Sequence, residues 1–217
     1  MRIDVFHDTV CPWCRIGKAH LLQALQAWSG DVEVFYHPFF LNPTIPEEGA
    51  NFREYMLAKG GYQVELEQFF AAPRMAGERI GLVFNFEQIE HAPNSTHSHR
   101  LVEFVSRAAQ AQMIDALYKA YFEDARNIGS IAVLADIAAE QGYDRATMHR
   151  RLQSDENRTT VAEKAQQAQQ LGISGVPFFV FNNTIALSGA QPPQVFAQAL
   201  QQAQSMAVST IKQEQDS

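Results

Sequence analysis

The chain is poor in cysteine: 217 residues contain 2. Two thiols are too few for a disulfide scaffold, and a chain of this length does not need one to hold its core together. There is no apolar run near the roughly 20 residues of a membrane span. Cations are not in excess. Lys and Arg number 17 against 24 Asp and Glu, for a formal net charge of -7. That balance argues against nucleic-acid binding, which draws on clustered Lys and Arg to neutralise phosphates. The opening Met1-Arg2-Ile3-Asp4 has no apolar segment of signal-peptide form, so the expected location is the cytoplasm. Hydrophobic residues at 46% and charged residues at 19% are ordinary for a globular protein. The length fits one large domain, or one domain carrying an insertion.

The two cysteines stand two residues apart, in Cys11-Pro12-Trp13-Cys14. Before them, Ile3 to Phe6 alternates as a strand does. After them, Leu21, Leu22, Leu25 and Trp28 recur at helical spacing, so a helix is predicted from Pro12 to about Trp28. Pro12 suits the first helical turn, where its missing N–H is not needed. Asp31 to His37 alternates again. Strand, helix and strand in this order form a βαβ unit with parallel strands.

Pro38 ends that pattern. From Gly49 to about Leu171 the signal is mainly helical. Helices are predicted over Asn51 to Lys59, Val64 to about Met75, from Pro93-Asn94-Ser95 through Ala108, and from Met113 through Phe122. Leu82 to Phe86 reads as a short extended piece. Further helices are predicted after caps at Ser130, Asp144 and Asp155. Strand character then returns in Val176 to Phe181 and in Thr184 to Leu187, joined by Asn182-Asn183 as a hairpin turn. A last helix is predicted from Val195 to Gln204, followed by a polar tail.

A Cys-x-x-Cys between a strand and a helix is a redox arrangement. Dithiol exchange requires a nucleophilic thiolate and a second thiol that resolves the mixed disulfide. Cys11 lies just ahead of the helix, where unpaired N–H groups and the helix dipole favour its thiolate. It is expected to attack, and Cys14, one turn further on and less exposed, to resolve. Trp13 brings no charge to the motif. His7, at the end of the first strand, either tunes Cys11 or packs. Zinc usually takes four ligands, and the chain offers two sulfurs with His7 as a third donor. His91, His97 and His99 are expected at a solvated helix start, and no metal is assigned. On its residues alone, Val176-Pro177 is a trans proline beginning a strand.

Four stretches together resemble one family. They are Asp4 to Gly17 with its Cys-Pro-Trp-Cys, Pro38 to Pro43, Asn94 to Leu101 with Leu117 to Phe122, and Ser174 to Phe181 with Leu187 to Pro192. They are similar to the DsbA-like thioredoxin-fold proteins, and within these to the cytoplasmic FrnE-like thiol-disulfide oxidoreductases. The resemblance implies an α/β thioredoxin fold with a large inserted helical domain. Residues 1–40 and 172–208 would form the thioredoxin-like part, 41–171 the insert, and 209–217 a flexible tail. It also implies that Pro177 is a cis-proline facing the cysteines, with the Val176 backbone binding substrate by strand addition. Cys11, Pro12, Trp13 and Cys14 would be the active-site motif, and the redox-active disulfide would serve in place of a resident cofactor. Expected partners are thiol or disulfide proteins, with glutathione as a candidate co-substrate. Neither nucleic acid nor membrane is expected. The insert would supply a substrate groove or a homodimer surface. The wider superfamily includes glutathione-dependent transferases and 2-hydroxychromene-2-carboxylate isomerases. Those typically carry serine in place of Cys11 and lack the second cysteine. Both cysteines are present here.

Overall fold

The computed structural model describes residues 1–60 and 66–215. Its main sheet has four strands: β1 (Arg2–His7), β2 (Glu33–Pro38), β5 (Phe178–Phe181) and β6 (Ile185–Ser188), in the order β2-β1-β5-β6. β1 runs parallel to β2, with Ile3 opposite Val34 and Val5 opposite Tyr36. β5 runs antiparallel to both β1 and β6. β1 is therefore a central strand, which explains why all its residues after Arg2 are buried. Helix α1 (Pro12–Gln26) makes the crossover between the parallel pair. The hairpin turns on Asn182 and Asn183, both at positive φ (47° and 56°), and the Thr184 N–H donates to the Phe181 carbonyl at 2.9 Å. Asn tolerates that left-handed backbone better than most side chains.

The insertion leaves the sheet after β2. A two-stranded ribbon joins β3 (Ala50–Asn51) to β4 (His91–Ala92). Around it lie α2 (Phe52–Gly60), α3 (Leu66–Glu78), α4 (Thr96–Phe104), α5 (Arg107–Phe122), α6 (Ile131–Glu140), α7 (Arg145–Gln153) and α8 (Arg158–Gln170). α8 packs against both α4 and β2, while α9 (Pro193–Gln215) packs against α1. The mixed four-stranded sheet, interrupted after β2 by a helical block, is the α/β architecture with a helical insertion that the resemblance implies.

Several local expectations are corrected. Leu82 to Phe86, expected as a short extended piece, joins no sheet. Its alternation is real, with Phe84 and Phe86 buried and Val83 exposed. Its backbone meets a helix end instead: the Asn85 N–H donates to the Phe122 carbonyl at 2.7 Å. The chain then makes a short 3-10 turn over Phe86–Gln88. The helix expected to run through Ala108 breaks earlier, because Val105 and Ser106 are extended (ψ 160° and 151°). Ser130 stands at the N-cap of α6 without a side-chain cap bond, whereas Asp144 caps α7 by accepting from the Thr147 N–H. α8 starts after Asn157, which is left-handed at φ 59°, and not after Asp155. α9 continues past Gln204 to Gln215, so the backbone expected as a tail is helical that far. The predicted start of the second insert helix, at Val64, lies outside the described residues.

One residue that the sequence did not flag ties the insertion together. Arg100, on α4, is fully buried. Its guanidinium donates to the carbonyls of Leu152 (2.9 Å), Arg151 (3.0 Å) and Glu156 (2.8 Å). The first two belong to the last turn of α7, where carbonyls have no partner within the helix. Arg100 thus closes α7 from outside and fixes where α8 begins. Arg100→Met would leave those buried acceptors unpaired and is expected to cost about 3 kcal/mol or more. Urea unfolding should show a lower midpoint with an unchanged slope. An unchanged midpoint would contradict this role.

Candidate active site

Cys11 is the N-cap of α1, in extended backbone (φ -95°, ψ 113°). Its sulfur accepts the Cys14 N–H at 3.3 Å, a donor it shares with the Cys11 carbonyl at 3.1 Å, so an N–H of the helix's first turn reaches the sulfur. On its other side, the Cys11 thiol donates to the Val176 carbonyl at 3.7 Å. The Val176–Pro177 peptide bond is cis. Pro177 is held in place from two directions. Its carbonyl accepts the Gly189 N–H at 2.8 Å, and Gly17 on α1 lies beneath its ring. A Cβ on Gly17 would come within 3.0 Å of Pro177 Cγ and 3.1 Å of the Phe179 ring.

Both cysteines are free, and both are buried. Exposure therefore does not separate them as expected; surroundings do. Cys11 forms part of the wall of a cavity of about 270 Å³, together with Pro12, Trp13 and Val176. Cys14 is not on that wall. Burial, and after it the neighbouring Cys11 sulfur, pushes the Cys14 thiol well above its ordinary range.

A buried polar layer lies behind the motif. His7 Nδ1 and the Tyr118 hydroxyl share a hydrogen bond of 3.2 Å, and the Tyr118 O–H also lies 3.4 Å from the Asp8 carbonyl. His99 packs edge-on against His7, and its Nε2 lies 3.4 Å from Asp8 Oδ1. Asp8 Oδ2 accepts the Leu41 N–H at 2.8 Å, and the Thr9 and Ser98 hydroxyls pair at 2.7 Å. Burial, and then the two cysteine sulfurs, raises Tyr118 well above the usual phenol value. Burial drives His7 well below the usual imidazole value, assisted by His99, Lys18 and His37. Next to Cys14, Arg15 donates to the Val83 carbonyl at 2.6 Å and pairs with Glu123, and one turn past Cys14 Lys18 pairs with Asp115 at 2.6 Å. These contacts fasten the motif helix to the insertion.

The structure thus brings Cys11, Pro12, Trp13, Cys14, Val176 and Pro177 into one locality. His7 meets Tyr118, while the polar contacts of the Cys11 sulfur go to Cys14 and Val176. The expectation of a solvated histidine cluster is corrected. His91 is exposed, but His97 and His99 are buried, His99 between the rings of His7 and Phe40. His97 lies between Glu47 (3.0 Å) and Arg100 (2.9 Å). Among the described residues, no group of three or more His, Cys, Asp or Glu is placed to hold a metal ion. Sequence reasoning missed Asp8, Tyr118, Arg15 and Lys18. The signal for the last two was charge on the α1 turns next to the motif, facing the insertion.

The DSBA-like thioredoxin domain model matches residues 2–201. The chain belongs to that family. A probable DsbA oxidoreductase from Streptomyces coelicolor is 31% identical, with a TM-score of 0.85, over 94% of this chain and 90% of that one. Two more distant structures share the fold. A 2-hydroxychromene-2-carboxylate isomerase is 14% identical (TM-score 0.65, covering 100% of this chain and 98% of that one). The cytosolic disulfide reductase DsbM from Pseudomonas aeruginosa, solved with GSH, is 18% identical (TM-score 0.54, covering 98% and 100%). DsbA-type members of the family are thiol-disulfide oxidoreductases. No helix among the described residues is long and apolar enough to cross a membrane.

Two outcomes follow from this geometry. Gly17→Ala should push the Pro177 loop away from Cys11 and destabilise the fold by about 1–3 kcal/mol, the usual range for overpacking. Denaturant unfolding checks it, and an unchanged midpoint would contradict it. The second concerns acid. An unfolded His7 gains a proton near pH 6.5, whereas the folded one stays neutral. The unfolded chain therefore binds more protons as pH falls below that value, and stability is lost in that direction. His7 contributes up to about 1.4 kcal/mol per pH unit to this loss. His97, also lowered by burial, adds in the same sense. Urea unfolding between pH 7 and 5 should show a shallower pH slope in His7→Gln, and an unaltered slope would contradict the assignment.

Proposed function

We propose that this protein catalyses thiol-disulfide exchange, with Cys11 as nucleophile and Cys14 as resolving thiol. The observation that carries the reading is the position of the Cys11 sulfur. It lies at the N-terminus of α1 between the Cys14 N–H and the Val176 carbonyl, on a cavity wall beside a cis-proline. A thiolate there gains from the N–H and the helix dipole. The buried Cys14 holds its proton more tightly, which suits the thiol that acts second. Val176 and Pro177 present an extended substrate, whose backbone would replace the thiol at the Val176 carbonyl. Pro12 starts the helix, and Trp13, partly exposed, borders the entrance.

In the reducing direction the Cys11 thiolate attacks a substrate disulfide and forms a mixed disulfide, and the first substrate thiolate leaves and takes a proton. Cys14 then gives up its proton, which the departing second substrate thiolate takes up, and its sulfur attacks the Cys11 sulfur. The second substrate thiolate departs, and the two cysteines are left oxidised to a disulfide. The redox group is the cysteine pair itself, without a resident cofactor. Reduction or isomerisation of thiol and disulfide proteins fits the cytoplasmic, FrnE-like reading of the sequence, since cytosolic thiols are kept reduced. The fold is shared with an isomerase, so the site and not the fold supports exchange. A glutathione-dependent transferase or isomerase has no task for Cys14.

Reduction of a disulfide protein by excess dithiol tests this. Cys11→Ser should fall to the uncatalysed rate. Cys14→Ser should accumulate a mixed disulfide on Cys11, visible by mass spectrometry. Parent-level activity in Cys11→Ser would overturn the proposal.

A further inference from the structure

The cavity that Cys11 faces has a second wall, supplied by the insertion. Phe52, Phe70, Phe86 and Phe122 line it. Their rings form a ladder: Phe52 stacks on Phe70 at 5.6 Å, Phe70 on Phe86 at 4.1 Å, and Phe122 meets Phe86 edge-on at 5.9 Å. Tyr55 and Met56 add to the apolar lining. Phe70 lies between Phe52 and Phe86, and Phe86 also stacks on Phe84 at 5.2 Å, so the wall offers mainly ring edges, which favour T-shaped aromatic partners. Charge is sparse. The charged lining groups are Asp8, which is buried and bound to the Leu41 N–H, and Lys59, whose ammonium lies 5.9 Å from the Tyr55 ring. Glutathione would bring two carboxylates and an ammonium to a wall with one cation among the described residues, and unpaired charge is costly to bury. Size sets the remaining limit. A dry cavity of about 150 Å³ holds benzene. A cavity of about 270 Å³ accommodates one or two fused rings, but not a folded segment.

We propose that this cavity receives an uncharged aromatic group carried by the disulfide substrate, a few bonds from the sulfur that Cys11 attacks. The site thereby selects aromatic disulfides over glutathione disulfide. This rests on the exchange reading above, because it places the group attached to the reacting sulfur. The shared chemistry is a phenyl-like ring near a disulfide, either on a small molecule or on an aromatic side chain next to cysteine in a peptide. The bonds made and broken are those of the exchange steps above, and a dithiol reductant returns the Cys11–Cys14 disulfide to the thiols.

The test measures kcat/KM for the purified protein with excess dithiothreitol, each value normalised to the uncatalysed rate. One pair of substrates is phenylpropyl hydroxyethyl disulfide against propyl hydroxyethyl disulfide. A second pair is a short cysteine peptide disulfide with Phe next to Cys against the same peptide with Ala. Glutathione disulfide is the fifth substrate. A preference of about tenfold or more for the ring is expected in at least one pair, as burial of a phenyl group would give. Preference in the first pair alone identifies a small-molecule source, and in the second alone a peptide source. Met56→Trp, which fills the cavity, should collapse the preference towards one. The comparison with the parent protein stands whether or not that variant folds. Equal rates within both pairs, or glutathione disulfide as the best substrate, would overturn the cavity assignment while leaving exchange intact. No turnover of any disulfide would instead overturn the exchange reading.

Discussion

Everything at the candidate site depends on where one sulfur lies. Cys11 closes β1's loop and caps α1, so its Sγ accepts the Cys14 N–H, which also bonds the Cys11 carbonyl. The same sulfur faces the Val176 carbonyl, 165 residues away in sequence. Those two contacts fix the register of α1 against the cis-proline loop. If either element moved, the sulfur would lose its donor or its substrate-binding neighbour. The absence of a side chain at Gly17 matters for the same reason, since the helix must pass close under Pro177.

The insertion is part of this arrangement. Arg15 and Lys18 leave α1 just after the motif and pair with Glu123 and the exposed Asp115, so the reactive helix is bound to the helical block through two buried cations. Tyr118, on α5, reaches His7 at the end of β1 and the Asp8 carbonyl in the motif loop. Burying a polar group costs stability unless it finds a partner. The pairs in this layer therefore orient the two parts of the fold relative to each other. Between them they leave the aromatic-lined space that Cys11 faces.

The sheet was legible because strands and helices have different apolar periods and because Asn182-Asn183 is chemically suited to a tight turn. The placement of the cysteine pair was legible from a strand before it and a helix after it. Other features depend on contacts that no single element reveals. Arg100 looks like an ordinary surface cation on a helix, yet the end of α7 and the turn after it bring carbonyls to it from residues 151 to 156. His97 and His99 looked solvated because α4 alone has an outer face, which its neighbours cover. The cavity was illegible for the same reason, since its walls run from Asp8 to Val176 through several separate elements.

The central claim is that the two cysteines differ in chemistry despite equal burial. Differential alkylation of the reduced protein tests it most directly. A brief pulse of iodoacetamide at neutral pH, followed by unfolding, a second label and peptide mapping, separates the two sites. The account predicts that the pulse labels Cys11 while Cys14 takes the second label after unfolding. Equal labelling of both in the pulse, or faster labelling of Cys14, would contradict it.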